Sequence, residues 1–227
     1  MAVEVATYRY VLRGKPVGTH VIKRETAGRY VQLEARSQFQ GVFGNLATVQ
    51  RSRAHGRAHF STRYEETNEV RRERRRFEVQ FDIGNGLVYA SKGQRDKAEI
   101  PYVLPYRDPL SLLSELRQVD LPDLHRIPML GKEVVVRLRG ETSLETIFGP
   151  TPCVVYQLLP GPSYVYVQAE APHHIVKLVQ PSAEGVIETV LQKLGHEAQP
   201  SRPEGERRRN RRPTNRRRRR PRRKTTE

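Results

Sequence analysis

One short stretch, residues 108–117, limits what this chain can fold into, because it favours a helix in a sequence that otherwise favours strands. Asp108 is a good N-cap, since its carboxylate can accept hydrogen bonds from the free amides of a first turn, and Pro109 suits the first helical position. An apolar stripe follows at helical spacing: Leu110, Leu112, Leu113 and Leu116. We predict a helix over about 108–118 whose stripe is buried against strands as a core plug. A role in gating a ligand is the alternative.

The rest of the body alternates apolar and polar residues as half-buried antiparallel strands do. In residues 29–39, for example, Val31, Leu33 and Ala35 fall on one face, and polar residues fall on the other. Further strands are predicted at 7–12, 17–24, 47–54, 58–66, 87–90, 100–104, 132–142, 152–159, 164–169, 175–179 and 186–193. The last segment also fits one helical face, but its β-branched residues favour a strand. The spacing predicts a meander in one mainly β domain over about residues 5–193.

Residues 70–83 have an unusual pattern. The second half is amphipathic, whereas both faces of the first half are charged and cannot cover a core. We therefore predict a hairpin that projects past the sheet, with its turn near Thr67 and Asn68. Acidic residues on the partner strand would neutralise much of its charge through cross-strand ion pairs. The alternative is a second nucleic-acid patch made of Arg72, Arg74 and Arg76.

Most of the net charge of +16 comes from the C-terminal segment. Residues 197–227 contain fourteen arginine and lysine residues against four acidic ones, and 207–224 contain no apolar residue that could form a core. We expect this tail to be disordered on its own. Its candidate nucleic-acid-binding residues are Arg207, Arg208, Arg209, Arg211, Arg212, Arg216, Arg217, Arg218, Arg219, Arg220, Arg222 and Arg223. The alternatives are that the tail only increases solubility, or that its basic composition reflects a genome rich in arginine codons.

The chain contains one cysteine, Cys153, which cannot form an internal disulfide, as is usual in a reducing compartment. No apolar run approaches the roughly 18 residues that span a bilayer, and the first residues lack a basic segment followed by a long apolar one. We expect a cytoplasmic protein without a transmembrane segment.

Several segments together resemble the bacterial family called domain of unknown function 3108, over about residues 5–191. They are Tyr8 through Gly14, Pro16 through Gly18, the arginine-rich strand, Arg107 through Leu113 with Leu116 and Arg117, and Gly149 through Val154. The resemblance implies a single curved antiparallel sheet or open barrel wrapped around one short helix, similar to the half-barrels of periplasmic lipoprotein carriers. It implies no activity. Members of that family are usually exported, and the arginine tail is not part of their pattern.

No signature of an enzyme or metal site is present. The sequence lacks a Gly-rich phosphate loop, a nucleophile elbow and a paired-carboxylate motif. Four histidines fall near predicted turns, where we expect water partners: His55, His59, His173 and His174. Cys153 has apolar neighbours that favour a buried small side chain over a nucleophile. We therefore expect no enzymatic activity, no metal and no cofactor.

Two classes of function remain open. In the first, the tail binds RNA or DNA through phosphates, since the guanidinium group can hold a phosphate through two hydrogen bonds and stack on bases. In the second, the body is a carrier or receptor for an apolar ligand or lipid between the concave sheet and the helix at 110–116. The two functions are compatible with each other.

Overall fold

The computed structural model describes residues 2–70, 73–93 and 96–198. They form fourteen β-strands, one α-helix and a 3-10 turn at Gly41–Phe43. The strands are β1 (Ala2–Leu12), β2 (Lys15–Ala27), β3 (Tyr30–Phe39), β4 (Leu46–His55), β5 (Ser61–Val70), β6 (Glu73–Asp82), β7 (Leu87–Lys92), β8 (Asp96–Pro101), β9 (Leu124–Met129), β10 (Lys132–Thr146), β11 (Gly149–Leu159), β12 (Ser163–Gln168), β13 (Ile175–Ser182) and β14 (Gly185–Ala198). Helix α1 is Pro109–Leu116, between β8 and β9.

All fourteen strands belong to one antiparallel sheet in the order β8-β7-β6-β5-β4-β3-β2-β1-β14-β13-β12-β11-β10-β9. The first and last strands are neighbours at its centre, where Ala2 opposes Ala198. The edges are β8 and β9, and the chain passes from one edge to the other through α1. A single parallel bridge between Arg107 and Met129 fastens this crossing to β9. The predicted fold, an open sheet around one helix, is confirmed.

Helix α1 begins as the sequence predicts. The Asp108 carboxylate accepts hydrogen bonds from the amides of Leu110 (2.8 Å) and Ser111 (3.0 Å), and the Ser111 hydroxyl accepts one from the Asp108 amide (2.9 Å). This reciprocal pair is a capping box. The helix ends earlier than the predicted 118, because Arg117 is its C-cap and the amide of Gln118 bonds to Glu115 in a tighter turn.

The apolar residues of α1 join the two halves of the sheet. Leu110 packs on Val31, Leu33 and Ala35 of β3. On the other side, Leu112 and Leu116 belong to a larger cluster: Ile127, Met129, Val134, Val136, Val154, Tyr156, Val165, Val167, Ile175 and Leu178. Leu113 is only half-buried, so the buried stripe differs from the predicted one. The helix is surrounded by sheet on several sides, and buries more than one face.

The hairpin of β5 and β6 differs from its prediction. Thr67 and Asn68 do not form its turn but lie within β5, opposite Arg76 and Arg75. The reason is a side-chain tie to the neighbouring strand, because the Thr48 hydroxyl of β4 donates to the Asn68 carbonyl oxygen at 2.7 Å. That bond holds Asn68 in the sheet and outweighs its preference for turns.

Leu116 has 0% exposure and lies where α1 meets β9–β13. We expect Leu116→Ala to lower the free energy of unfolding by about 2–5 kcal/mol, since it leaves a cavity in a packed core. Urea unfolding followed by far-UV circular dichroism measures this. The matched control Leu113→Ala should cost less, because that side chain is half-buried. Equal losses in the two variants would contradict this account of the helix.

Candidate ligand-binding site

A pocket of about 460 Å³ lies between α1 and the concave face of the sheet. We call it the helix–sheet pocket. Its apolar walls include Leu110, Leu112 and Leu113 of α1 with Met129, Val134, Leu158, Val165 and Leu178 of the sheet. Its polar lining includes Tyr10, His20, Ser37, Thr48, Gln50, Tyr164, Gln180 and Thr189. The pocket therefore combines an apolar side with a row of hydrogen-bonding groups.

Three of the polar groups form a connected cluster. The Ser37 hydroxyl is 2.8 Å from Nδ1 of His20 and 3.0 Å from the Tyr10 hydroxyl. The His20 ring also contacts the rings of Tyr8 and Tyr10. Burial lowers the pKa of His20 from 6.5 to about 4, so the ring is neutral near pH 7. The cluster can exchange hydrogen bonds with a ligand but adds no charge.

These inward polar residues were absent from the sequence-based candidates. The signal that identifies them is the period of two along β1 and β2: Tyr10 shares a face with buried Ala6 and Leu12, and His20 shares a face with Ile22. By the same rule Glu4 and Arg24 point inward. An inward charge on an otherwise apolar face is informative, because charged side chains are seldom buried without a partner.

The predicted arginine patch on the hairpin is only partly present as a positive surface. Arg74 and Arg76 are exposed on β6. However, Arg76 lies 3.5 Å from a carboxylate oxygen of Glu65 and 3.3 Å from one of Glu78. The pair with Glu65 crosses from β6 to β5 and agrees with the expected neutralisation, whereas Glu78 lies on the same strand as Arg76. Arg72 and the twelve tail arginines proposed above lie outside the described residues.

On the outer face of β3, β4 and β5, other arginine and glutamate side chains also form ion pairs. Glu34 of β3 accepts hydrogen bonds from Arg36 (2.7 Å) and Arg51 (2.8 Å). Burial alone would raise the pKa of Glu34, but the two arginines outweigh it and the pKa is lowered. Arg63 lies 2.6 Å from Glu65 and bridges to Glu78 as well.

The prediction of water-exposed loop histidines is wrong for two residues. His59 and His174 are buried, with 5% and 6% exposure. Nε2 of His59 lies 2.6 Å from the side-chain nitrogen Nε2 of Gln118, and Nδ1 of His174 lies 3.3 Å from a guanidinium nitrogen of Arg117. The chain that follows α1 covers both rings, which local sequence does not reveal. Cys153 is buried at 0% exposure, as predicted.

Within residues 2–70, 73–93 and 96–198, no group of three His, Cys, Asp or Glu side chains is placed to hold a metal ion. In the same part of the chain, no helix is both long enough and apolar enough to cross a membrane.

The fold resembles a solved structure, the crystal structure of a beta-barrel-like protein of domain of unknown function 1849 from Brucella abortus. The TM-score is 0.57 at 10% sequence identity, over 87% of this chain and 99% of that one. At this identity the likeness concerns the fold, and it supports a β-barrel-like domain. No family model and no curated protein matches the sequence.

The neutral, buried His20 predicts a dependence of stability on pH. An unfolded chain binds this proton near pH 6.5, and the folded chain binds it only near pH 4. Stability from this residue is therefore complete above about pH 6.5 and is lost as the pH falls toward 4, by up to about 3 kcal/mol. His59 and His174 act in the same direction, since burial lowers the pKa of each.

The measurement is urea unfolding between pH 7 and pH 4 for the wild type and for His20→Gln. We expect the variant to lose less stability over this range. Parallel curves would show that His20 does not carry the dependence.

Proposed function

We propose that the body of this protein is a non-enzymatic binding module that holds an apolar ligand or lipid in the helix–sheet pocket, as a carrier or receptor. The observation that supports this is the pocket itself, about 460 Å³ in volume and walled by both α1 and the concave sheet. That volume is within the range of roughly 300–1,000 Å³ found for small-molecule sites.

The lining suits such a ligand. Three leucines of α1 and five apolar side chains of β9–β13 offer contact to a chain or ring system, while Tyr10, His20 and Ser37 can orient one polar group. Leu113 is half-buried although it belongs to the helix that fills the sheet. Its remaining exposed surface would gain from apolar contact with a ligand.

Blocking the pocket should remove the ligand. Leu158→Arg places a charge in the apolar wall, so we expect it to lower the affinity for a fluorescent apolar probe at least about tenfold, since a charge in an apolar site is strongly unfavourable. Organic extraction of the purified wild type, followed by mass spectrometry, should recover a bound apolar compound that the variant lacks.

Leu124→Arg is the matched control, because Leu124 is 50% exposed on edge strand β9. It introduces the same charge outside the pocket and should bind the probe as the wild type does. Equal binding by wild type and Leu158→Arg would place the ligand elsewhere, and absence of probe binding by the wild type would end the carrier proposal.

We propose a second function, nucleic-acid binding, for the tail, because it contains thirteen arginines between Arg202 and Arg223. Such a segment attracts polyanions, and we propose that it binds RNA or DNA through phosphates with little sequence preference. We further propose a cytoplasmic location.

Tail binding should depend steeply on salt. With about eight cationic side chains on a single strand, the slope of log affinity against log salt should be about −6, because each contact releases a counterion. Fluorescence anisotropy with labelled RNA and DNA measures this for the full chain and for residues 1–198. The shorter form ends with β14 and should bind weakly.

The combined change of Arg72, Arg74 and Arg76 to Ser tests the hairpin. We expect a small effect, since Arg76 is already paired with Glu65 and Glu78. A loss confined to this variant would move the site from the tail to the hairpin, and equal binding by the full and shortened chains would exclude the tail.

A further inference from the structure

A second cavity, of about 30 Å³, shares Leu110 and Leu113 with the helix–sheet pocket, so the two lie side by side along α1. We call it the arginine cavity. Its polar lining consists of Glu4, Tyr8, Arg24, Ser114, Arg117 and His174. Its remaining walls are Ala6, Ile22, Leu33, Leu110, Leu113, Ile175, Leu191 and Leu194. It is an apolar cavity with a charged cluster.

The charges in this cluster do not cancel. Arg117 holds Glu4 through two hydrogen bonds, of 2.6 and 3.1 Å, and also donates to the carbonyl oxygens of Pro172 and His173. This arrangement fixes Arg117 and matches the charge of Glu4. Burial alone would raise the pKa of Glu4, yet the bonds and charge of Arg117 lower it, so Glu4 is ionised.

Arg24 is a second cation in the same place. It lies directly opposite Glu4 across β1 and β2. Burial and the nearby Arg117 lower the pKa of Arg24 below its ordinary value, but an arginine remains protonated at neutral pH. His174 adds no charge near pH 7, because burial and Arg117 lower its pKa. The cluster of Glu4, Arg24 and Arg117 therefore carries one positive charge in excess.

Two hydrogen-bonding atoms at this cavity are buried without a protein partner in the described part of the chain: Nε of Arg24 and the hydroxyl of Ser114. Ser114 is only 8% exposed and projects from α1 into the cavity lining. Buried polar groups normally have partners, because an unmade hydrogen bond is unfavourable. An unsatisfied N–H and an unsatisfied O–H beside an excess positive charge are donors for an anion.

We propose that the arginine cavity binds the carboxylate of an amphiphilic acid, with Arg24 and Ser114 as donors and the apolar chain lying along Leu110 and Leu113 toward the helix–sheet pocket. This rests on the proposed function and names the class of its ligand. The volume of about 30 Å³ suits a group the size of about two waters, as a carboxylate is. The apolar walls disfavour a fully hydrated ion.

The test compares decanoate with 1-decanol, which share a ten-carbon chain and differ in the acid group. Isothermal titration calorimetry at pH 7.5 should show tighter binding of decanoate by the wild type. Arg24→Met keeps an apolar stem but removes the charge. It should weaken decanoate binding about tenfold or more, since hydrogen bonds to ionised groups are strong, and should change decanol binding less than about twofold.

Arg137→Met is the matched control, because Arg137 is exposed on β10 and its loss lowers the net charge equally. Its decanoate affinity should equal that of the wild type. Ser114→Ala should weaken decanoate binding by about two- to tenfold. Without ligand it should melt no lower than the wild type, because the hydroxyl has no partner to lose and alanine favours a helix.

The outcomes separate the two proposals. If the wild type binds neither compound, the carrier proposal fails and the carboxylate site falls with it. If the wild type binds both compounds and Arg24→Met binds each of them as tightly as the wild type does, the carboxylate site is overturned while the carrier proposal remains. If Arg24→Met does not fold, Ser114→Ala decides, and decanoate binding unchanged in that variant overturns the proposal.

Discussion

The buried carboxylate of Asp108 joins the helix to the sheet, and the walls of both cavities depend on this junction. It accepts hydrogen bonds of 2.6 Å from the hydroxyls of Ser52 and Ser61, on β4 and β5, in addition to those from the helix amides. Burial raises the pKa of Asp108, against the effect of these bonds. A helix of eight residues is unstable alone, so its place and its helicity both come from such contacts. Arg107, whose backbone bridges to Met129 of edge strand β9, binds the Glu115 carboxylate of α1 through two hydrogen bonds.

Helix α1 is thus held by β4 and β5 on one side and by β9 on the other, the sheet stays open between β8 and β9, and two cavities lie beside the helix. These cavities are lined where β1–β3 place polar groups inward, at His20 and Ser37 in one cavity and at Glu4 and Arg24 in the other. Apolar residues at these positions would give a more stable core, because buried charges lose hydration that a partner only partly replaces. The inward polar groups are therefore the part of the fold that stability does not explain, and the ligand proposals rest on them.

Local sequence was sufficient for the parts of the fold set by neighbouring residues. Alternation predicted most of the strands, although it missed β9 and placed β8 at 100–104 instead of Asp96–Pro101, and Asp108 and Pro109 predicted the helix start. Local sequence could not predict the contacts between segments that are far apart in the chain. Ser52 and Ser61 donate hydrogen bonds to Asp108, which is 56 and 47 residues away in the sequence. The hydrogen bond from Thr48 holds Asn68 in a strand, where the sequence predicts a turn. The arginine cavity is formed by residues of β1, β2, β3, β13, β14 and α1 together, so the only signal for it in the sequence is that Glu4 and Arg24 fall on the inward-facing positions of their strands.

The two sides of the sheet use charge differently, and this separates the proposed functions. On the outer face, the glutamates Glu34, Glu65 and Glu78 pair with nearby arginines, and this reduces the positive charge that this part of the surface offers to phosphates. Ion pairs of this kind contribute little to stability but remove a continuous positive field. On the inner face, Arg24 forms no ion pair within the described residues and lines a cavity too small for a nucleic acid. The proposed binding of polyanions is thus assigned to the tail, and the proposed binding of a small acid to the interior, so separate substitutions can test the two proposals.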